Sequence, residues 1–251
     1  MDNESTDLRL ADAFGNTIER CWARGGAPGA AYEIVERDDG FISALDASCY
    51  FSSPDQWDPT DHAAFARCRG RVLDIGCGAG RHAVHLMKAG HDVLGVEPSP
   101  GAARIARERG VTVIEQTLES LAEHTDNIGV FDTILLGGQN LGLLESKDKA
   151  PSLLRDLARL AAKDAVLLGV SIDPHHTTRP HHRAYGRNNE LRGRLFGQER
   201  LRVRETTTAT AWFDYLFLAP EELNHLLANT PWEMRECLRD GPHYVAELIL
   251  T

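Results

Sequence analysis

Short apolar runs alternate with amphipathic stretches from residue 71 onward. Such runs are typical of buried strands, and the intervening stretches of helices. The alternation predicts βαβ units and a doubly wound, mostly parallel sheet with helices on both faces, an α/β fold. The predicted strands are RVLDI (71–75), HDVLGVE (91–97), VTVIEQ (111–116), FDTILLG (131–137) and DAVLLGVSID (164–173), and the predicted helices cover 81–90, 98–110, 118–124 and 151–163.

The regular pattern stops after residue 173. Residues 174–200 are polar and rich in glycine and arginine, with no clear period, whereas 200–212 alternates and predicts extended, antiparallel chain. A helix at 220–230 and two strands at 232–239 and 244–251 then close the domain as a hairpin pair.

The first 65 residues are weakly helical over 7–24 and irregular afterwards. We expect residues 1–65 to form an N-terminal cap on the sheet. The main domain is expected over 66–251, with a substrate-covering insertion over 174–210.

Charge is unevenly distributed along the chain. The net charge is −10, which disfavours non-specific binding to nucleic acid or to an anionic membrane surface. Residues 1–61 carry 13 acids against four arginines, whereas residues 175–204 carry eight arginines against two acids. The basic segment lies where the insertion is expected to cover an acceptor.

Five scattered cysteines without a C-x-x-C pair indicate neither a disulfide framework nor a zinc site. They suit a reducing compartment, and we expect a cytoplasmic protein. The acidic N-terminus lacks the features of a signal peptide, and the longest clean apolar stretch, AVLLGV, is too short to span a membrane.

A glycine turn follows the first predicted strand, in the segment VLDIGCGAGRH. Glycines at a strand-to-helix turn let a ligand approach the backbone and the free N–H groups of the helix. Arg81 stands where a dinucleotide-binding pattern needs its third glycine, and no Lys-Ser/Thr pair follows to make a phosphate-binding loop. Asp74, two residues before the first glycine, is placed to meet a ligand ammonium.

A carboxylate also ends the next predicted strand. Glu97 can accept hydrogen bonds from both hydroxyls of a ribose, and Pro98 can lie against a flat base. Together with Asp74, these residues predict a pocket for a molecule with an amino-acid end and an adenosine end.

The stretch from VLDIGCGAG to RIARERG resembles the class I S-adenosylmethionine-dependent methyltransferases of the small-molecule type. The resemblance covers about residues 70–173 strongly and 211–251 more loosely. It implies a Rossmann-like, seven-stranded sheet with strand order 3-2-1-4-5-7-6, in which strand 7 is antiparallel. It also implies S-adenosyl-L-methionine as cofactor and S-adenosyl-L-homocysteine as product.

The resemblance assigns cofactor contacts residue by residue. Thr117 stands where the family often has an acid, so the partner of the adenine N6 is left open. The implied contacts are Asp74, Gly76, Gly78 and Gly80 for the methionine end, Glu97 for the ribose, Pro98, Thr117 and Leu118 for the adenine, and Gly138 and Asn140 beneath the transferring methyl.

The loop after the fourth strand lacks the Asn/Asp-Pro-Pro-aromatic motif and the Pro-Cys pair of the base-modifying enzymes. Gln139-Asn140 and Asp173-Pro174 stand where the divalent-metal type has its acids. These absences favour metal-independent N-, O- or C-methylation of a small-molecule acceptor, of the kind found in secondary metabolism, and no nucleic acid.

A base is useful when the acceptor is a hydroxyl or an ammonium. The candidates are His175, His176, His181 and Tyr50. Arg179, Arg183 and Arg187 could pair with a carboxylate or phosphate, which is consistent with an anionic acceptor.

Other functions stay open on the sequence alone. One is a peptide or protein methyltransferase that docks through the basic insertion, and another is a non-catalytic S-adenosylmethionine-binding module. A nicotinamide dehydrogenase fits less well because Arg81 interrupts its glycine pattern. We expect a monomer or a homodimer.

Overall fold

The computed structural model describes residues 8–121 and 128–251, and within these ranges it contains thirteen strands and eight α-helices. The strands are β1 Arg9–Leu10, β2 Tyr32–Arg37, β3 Ile42–Asp46, β4 Arg71–Ile75, β5 Asp92–Val96, β6 Thr112–Ile114, β7 Phe131–Leu136, β8 Ala161–Ile172, β9 Gln198–Glu205, β10 Thr208–Ala209, β11 Phe213–Leu216, β12 Trp232–Asp240 and β13 His243–Leu250. The helices are α1 Ala13–Trp22, α2 Pro59–Phe65, α3 Arg81–Lys88, α4 Pro100–Glu108, α5 Leu118–Leu121, α6 Ala150–Arg159, α7 Pro180–Leu191 and α8 Pro220–Leu227.

Seven strands form the main sheet, in the order β12-β13-β8-β7-β4-β5-β6. Strands β8, β7, β4, β5 and β6 are parallel, and β13 runs antiparallel to β8. Counted along the chain from β4, this is the expected order 3-2-1-4-5-7-6 with strand 7 antiparallel. The predicted fold class is therefore confirmed.

Apolar side chains of the parallel strands fill the core on both sides of this sheet. Leu73 of β4, Ile134 of β7 and Leu167 of β8 are fully buried in one cluster, together with leucines of α6. The opposite face packs Val72 and Val166 against Ala83 and Leu86 of α3. The strands were predictable because their apolar runs are buried on both faces.

Some predicted boundaries were wrong. The helix expected over 151–163 ends at Arg159, and β8 begins at Ala161 rather than at residue 164. Ala161 already pairs with Phe131 of β7, so residues 161–163, which were predicted to be helical, belong to the sheet. Of the helix predicted over 118–124, α5 covers 118–121, and residues 122–127 lie outside the described residues.

A second sheet joins the N-terminal cap to the insertion. It has the order β1-β10-β9-β2-β3, and β11 pairs with the same edge of β9 as β10. Residues 34–37 of β2 pair with residues 201–204 of β9. The irregular structure expected after residue 24 was wrong for β2 and β3, and α7 is a helix within the insertion where no regular element was predicted. The extended chain expected over 200–212 is confirmed by β9 and β10.

Opposite charges hold this second sheet together. Glu36 of β2 pairs with Arg202 and Arg204 of β9, and Arg20 of α1 pairs with Glu205. Ion pairs of both senses therefore join the N-terminal segment to the insertion where the two meet.

Within the described ranges, every helix is too short or too polar to cross a bilayer.

Candidate functional site

The glycine turn connects β4 to α3, as the sequence predicted. Gly76, Gly78 and Gly80 all have positive φ, between 54° and 79°, a conformation that a Cβ disfavours. A Cβ on Gly76 would lie 2.7 Å from Asn140 Nδ2, whereas a Cβ on Gly78 would have only Tyr50 Cδ1 near it, at 3.7 Å. Gly76 therefore serves close packing, and Gly78 lies beneath the Tyr50 ring with room for a methyl group at van der Waals distance.

Asp74 is the penultimate residue of β4 and has a buried carboxyl group. Its Oδ2 has no hydrogen-bond partner, which is a costly arrangement for a buried polar atom and marks a place for a ligand group. Burial raises its pKa to about 6, against the opposing effects of His82 and of the Ala83 N–H.

Glu97 follows β5, with its carboxylate directed at the glycine turn. Its Oε2 accepts a hydrogen bond from the Gly78 N–H and its Oε1 from the Ser99 N–H, both over 2.9 Å. Burial raises the pKa of Glu97 to about 7 in spite of these two donors. The turn and this carboxylate are thus held in one unit.

The loop after β7 lies on the other side of the turn. Asn140 donates from Nδ2 to the carbonyl oxygens of Ile75 and Gly76, over 3.0 and 2.8 Å. Both amide hydrogens are thereby used in holding the turn, and Oδ1 is left for other contacts. Gly138, also predicted as a site residue, is exposed beside it.

A buried carboxylate of the cap, Asp61, reaches this same loop. Its Oδ1 accepts a hydrogen bond from the Gly138 N–H over 3.1 Å, and the carboxylate forms an ion pair with Arg81. His82 lies 3.3 Å from Asp61, and burial together with the Arg81 charge lowers the pKa of His82 to about 4, so its ring is neutral at neutral pH. Sequence analysis missed Asp61 because it is an isolated acid in a short helix.

Tyr50, a predicted candidate base, lies over Gly78 and belongs to the 3₁₀ helix Ala47–Phe51 of the cap. Its hydroxyl donates to Glu33 Oε2 over 2.6 Å. Burial raises the pKa of this hydroxyl well above its ordinary value. Glu33 of β2 was also missed, because one acid within a charged segment gives no signal of its own.

The other predicted adenine contacts lie on the same edge of the sheet. Pro98 follows Glu97 and is exposed, Thr117 is exposed before α5, and Leu118 is buried in the core. Thr117 Oγ1 accepts from the Ser120 N–H, so this hydroxyl also starts the helix.

The three histidines have their contacts elsewhere. His175 lies 3.3 Å from Glu222 of α8, His176 lies 3.7 Å from Asp173, and His181 stacks on Phe41 at 4.6 Å between ring centroids. The structure brings Tyr50, not these histidines, to the glycine turn.

Two buried carboxylates, Asp74 and Glu97, thus lie at the carboxyl ends of neighbouring parallel strands beside the glycine turn. Such an arrangement accepts hydrogen bonds from an ammonium at one strand end and from hydroxyl groups at the next. Raised pKa values at both positions are typical of a binding site.

The glycine turn and Glu97 lie within a segment that matches a known family. Residues 72–164 match the family described as a methyltransferase domain. The chain is similar to the protein YqeM of Bacillus subtilis, with 26% identity over 132 residues, 51% of this chain and 53% of YqeM. It is 33% identical over 73 residues to 2-heptyl-1-hydroxyquinolin-4(1H)-one methyltransferase of Mycobacteroides abscessus, 28% of this chain and 32% of that protein. The chain therefore spans about half or less of the length of these curated relatives.

Solved structures show the same fold. An S-adenosylmethionine-dependent methyltransferase of Bacteroides fragilis in complex with S-adenosyl-L-homocysteine superposes with a TM-score of 0.78 at 22% identity, over 98% of this chain and 100% of that chain. The CcbJ methyltransferase of Streptomyces caelestis superposes with a TM-score of 0.57 at 17% identity, over 78% of this chain and 94% of that chain. Residues 72–164 therefore match a methyltransferase domain, and the chain has the Rossmann-like fold of these methyltransferase structures.

Proposed function

We propose that this protein transfers a methyl group from S-adenosyl-L-methionine to a small-molecule acceptor without a metal ion, and releases S-adenosyl-L-homocysteine. The observation that carries the proposal is the pairing of Glu97 with the Gly78 N–H at the carboxyl ends of adjacent strands. A ribose held by Glu97 would place the rest of the cofactor along the glycine turn.

The residues present fit this cofactor. The unpartnered Asp74 Oδ2 suits the ammonium of the methionine end, and the Glu97 carboxylate suits the two ribose hydroxyls. The absence of a side chain at Gly78 lets a ligand approach the backbone of the turn closely. Pro98, Thr117 and Leu118 stay proposed as contacts of the adenine, and Gly80, Gly138 and Asn140 as contacts of the methionine end.

The bound cofactor would supply an activated methyl group on a sulfonium. The protein then has to align the acceptor in line with that methyl and exclude water. Asn140 and Asp61 would fix the two loops that flank the methyl. A base is needed only for a hydroxyl or ammonium acceptor. Tyr50 is our first candidate for contact with the acceptor because its ring lies over the turn, and His175, His176 and His181 stay candidates of the insertion.

A small acceptor is also supported by the similarity to the quinolone methyltransferase of Mycobacteroides abscessus, although the match is confined to 73 residues. Arg179, Arg183 and Arg187 are exposed on and before α7 and would pair with an anionic group of the acceptor. We further propose a cytoplasmic location, supported by five free cysteine thiols, and a monomer or homodimer.

Calorimetry with S-adenosyl-L-methionine, S-adenosyl-L-homocysteine and NAD tests the cofactor. We expect binding of the first two and none of NAD, whereas NAD binding alone would overturn the proposal. Transfer of labelled methyl groups to fractionated small molecules and peptides from the source cell tests the reaction. Label found in peptides would favour a protein methyltransferase, and bound cofactor without any transfer would favour a non-catalytic module.

A further inference from the structure

Glu33 is a buried acid in the second sheet whose charge has no cationic partner in the parts of the chain that the structure describes, residues 8–121 and 128–251. Only 7% of the residue is exposed, and its hydrogen bond comes from the neutral hydroxyl of Tyr50. Burial raises the pKa of Glu33, and the Tyr50 hydroxyl opposes this effect. A carboxylate in such surroundings gains most from a cation placed beside it.

Arg37 on the same strand is a buried charge whose partners all lie within the protein. Arg37 is also buried on β2, but it bonds to both Asp39 and Glu199 and stacks on Tyr185. Its charge is therefore neutralised within the chain. Glu33, four residues earlier and hence on the same face of the strand, is left without such compensation.

Two tyrosines place Glu33 between the two loops that border the proposed methyl position. Tyr50 bonds to Glu33 and lies over Gly78 of the glycine turn. The Tyr215 hydroxyl donates to the Gln139 carbonyl over 2.9 Å, in the loop after β7. Burial, and next the charge of Glu33, raise the pKa of Tyr215, so this ring also lies within the field of the carboxylate.

The nearby cation, Arg81, is paired with a different carboxylate. The Arg81 charge acts on Cys49 and Tyr50, but its guanidinium is paired with the buried Asp61. An ionised Glu33 carboxylate therefore has no balancing cation among residues 8–121 and 128–251. A neutral hydroxyl acceptor would leave this charge uncompensated, whereas an ammonium would neutralise it.

We infer that the acceptor is a primary or secondary amine, that Glu33 binds its ammonium together with Tyr50, and that Glu33 takes the proton that frees the nitrogen for methylation. This inference rests on the proposed function and assigns its substrate class.

The proton and electron balance is simple. The ammonium gives one proton to the Glu33 carboxylate, and the freed lone pair of nitrogen forms the new C–N bond. The C–S bond of the sulfonium breaks at the same time, and its electron pair stays on sulfur as a neutral thioether. The methylated nitrogen now carries the positive charge, and the Glu33 carboxyl returns its proton to water.

The test compares alkylamines and arylalkylamines with the alcohols of the same carbon skeleton. Each pair is titrated by calorimetry into the protein saturated with S-adenosyl-L-homocysteine, and then assayed for transfer of labelled methyl. Amines should bind roughly 10- to 100-fold more tightly than their alcohols, as expected for one hydrogen-bonded charge pair. Glu33→Gln should abolish that preference and the transfer to nitrogen while it leaves the affinity for S-adenosyl-L-homocysteine unchanged.

Glu36→Gln is the matched control, since Glu36 lies on the opposite face of β2 and pairs with Arg202 and Arg204. It should leave the preference for amines intact. An equal affinity for amine and alcohol, transfer to hydroxyls only, or a preference that persists in Glu33→Gln would overturn the inference but leave the proposed function in place. A protein that binds neither form of the cofactor would instead overturn the proposed function, and the inference with it.

Discussion

Asp61 of the N-terminal cap accepts a hydrogen bond from the backbone N–H of Gly138, 77 residues later in the chain. The same carboxylate pairs with Arg81, the residue directly after the glycine turn. One buried side chain of the cap thus holds the two loops between which the methyl group is proposed to pass.

Asp61→Ala should therefore destabilise the protein by about 3 kcal/mol, because it leaves the half-buried guanidinium of Arg81 without its carboxylate. Urea unfolding monitored by fluorescence measures the change. The control is Asp58→Ala, at an exposed acid three residues earlier whose side chain makes no capping bond; it should cost less than about 1 kcal/mol. Equal costs for the two variants would contradict the role assigned to Asp61.

Gly78→Ala should abolish cofactor binding with only a small loss of stability. The added Cβ would meet Tyr50 at an ordinary contact distance of 3.7 Å, so the protein tolerates it, whereas a cofactor lying against the turn as proposed would not. The positive φ alone costs about 1–2 kcal/mol. Gly90→Ala is matched to it, since Gly90 also has a positive φ and its Cβ would meet no atom within 4 Å. Calorimetry should find normal affinity in the Gly90 variant, and equally normal affinity in Gly78→Ala would show that the turn is not the binding site.

Glu97→Gln should weaken cofactor binding at pH 8 by roughly 10- to 100-fold, through the loss of a charged acceptor for the ribose hydroxyls. The same variant changes how stability depends on pH. Folding raises the pKa of Glu97 from 4.5 to about 7, so the folded protein keeps a proton that the unfolded chain releases between these values. The contribution of Glu97 to the free energy of unfolding therefore falls as the pH rises from about 4.5 to 7.

Relative to the wild type, the free energy of unfolding of Glu97→Gln without cofactor should consequently rise by about 1–3 kcal/mol over that interval. Chemical unfolding at pH 5 and pH 8 measures this difference. Glu190→Gln, at an exposed position of α7, should change neither the affinity for the cofactor nor the pH dependence of the free energy of unfolding. A constant difference between variant and wild type across the interval would contradict the raised pKa.

Asn140→Ala should lower the free energy of unfolding by about 1–3 kcal/mol, because the carbonyl oxygens of Ile75 and Gly76 lose their shared donor. It should also lower the affinity for the cofactor, since the glycine turn is no longer held against the loop after β7. Thermal unfolding and calorimetry give the two quantities. Asn188→Ala, at an exposed position of α7, serves as the control. An Asn140 variant as stable as this control would show that the hydrogen bonds of Asn140 do not stabilise the glycine turn.

The parallel sheet was predictable from sequence because its strands are buried on both faces and end at glycines or acids. Asp74 and Glu97 could be placed at the carboxyl ends of their strands for the same reason, and their roles toward the cofactor stay predictions. The resemblance to a known family added the strand order, which no local pattern contains.

The second sheet was not predictable in this way. The strands β2 and β3 are short and rich in polar residues, and the partner of Ile34, Arg204, lies 170 positions away. The helix α7 carries few apolar residues, and its sequence, PHHRAYGRNNEL, shows no amphipathic period. Asp61 and Glu33 gain their roles from contacts with distant segments, so local sequence gave them no distinguishing mark.

The pairing of β2 with β9 has a consequence for the order of folding. During synthesis β2 can pair with β3 early, but it must wait until residue 204 has left the ribosome before it can pair with β9, and loop closure over so long a span is slow. The main sheet can begin to assemble earlier around β4, β5 and β7, whose contacts are much closer in sequence. We therefore expect the cap, with Tyr50, Glu33 and Asp61, to dock late, so that the proposed acceptor site is among the last parts of the molecule to form.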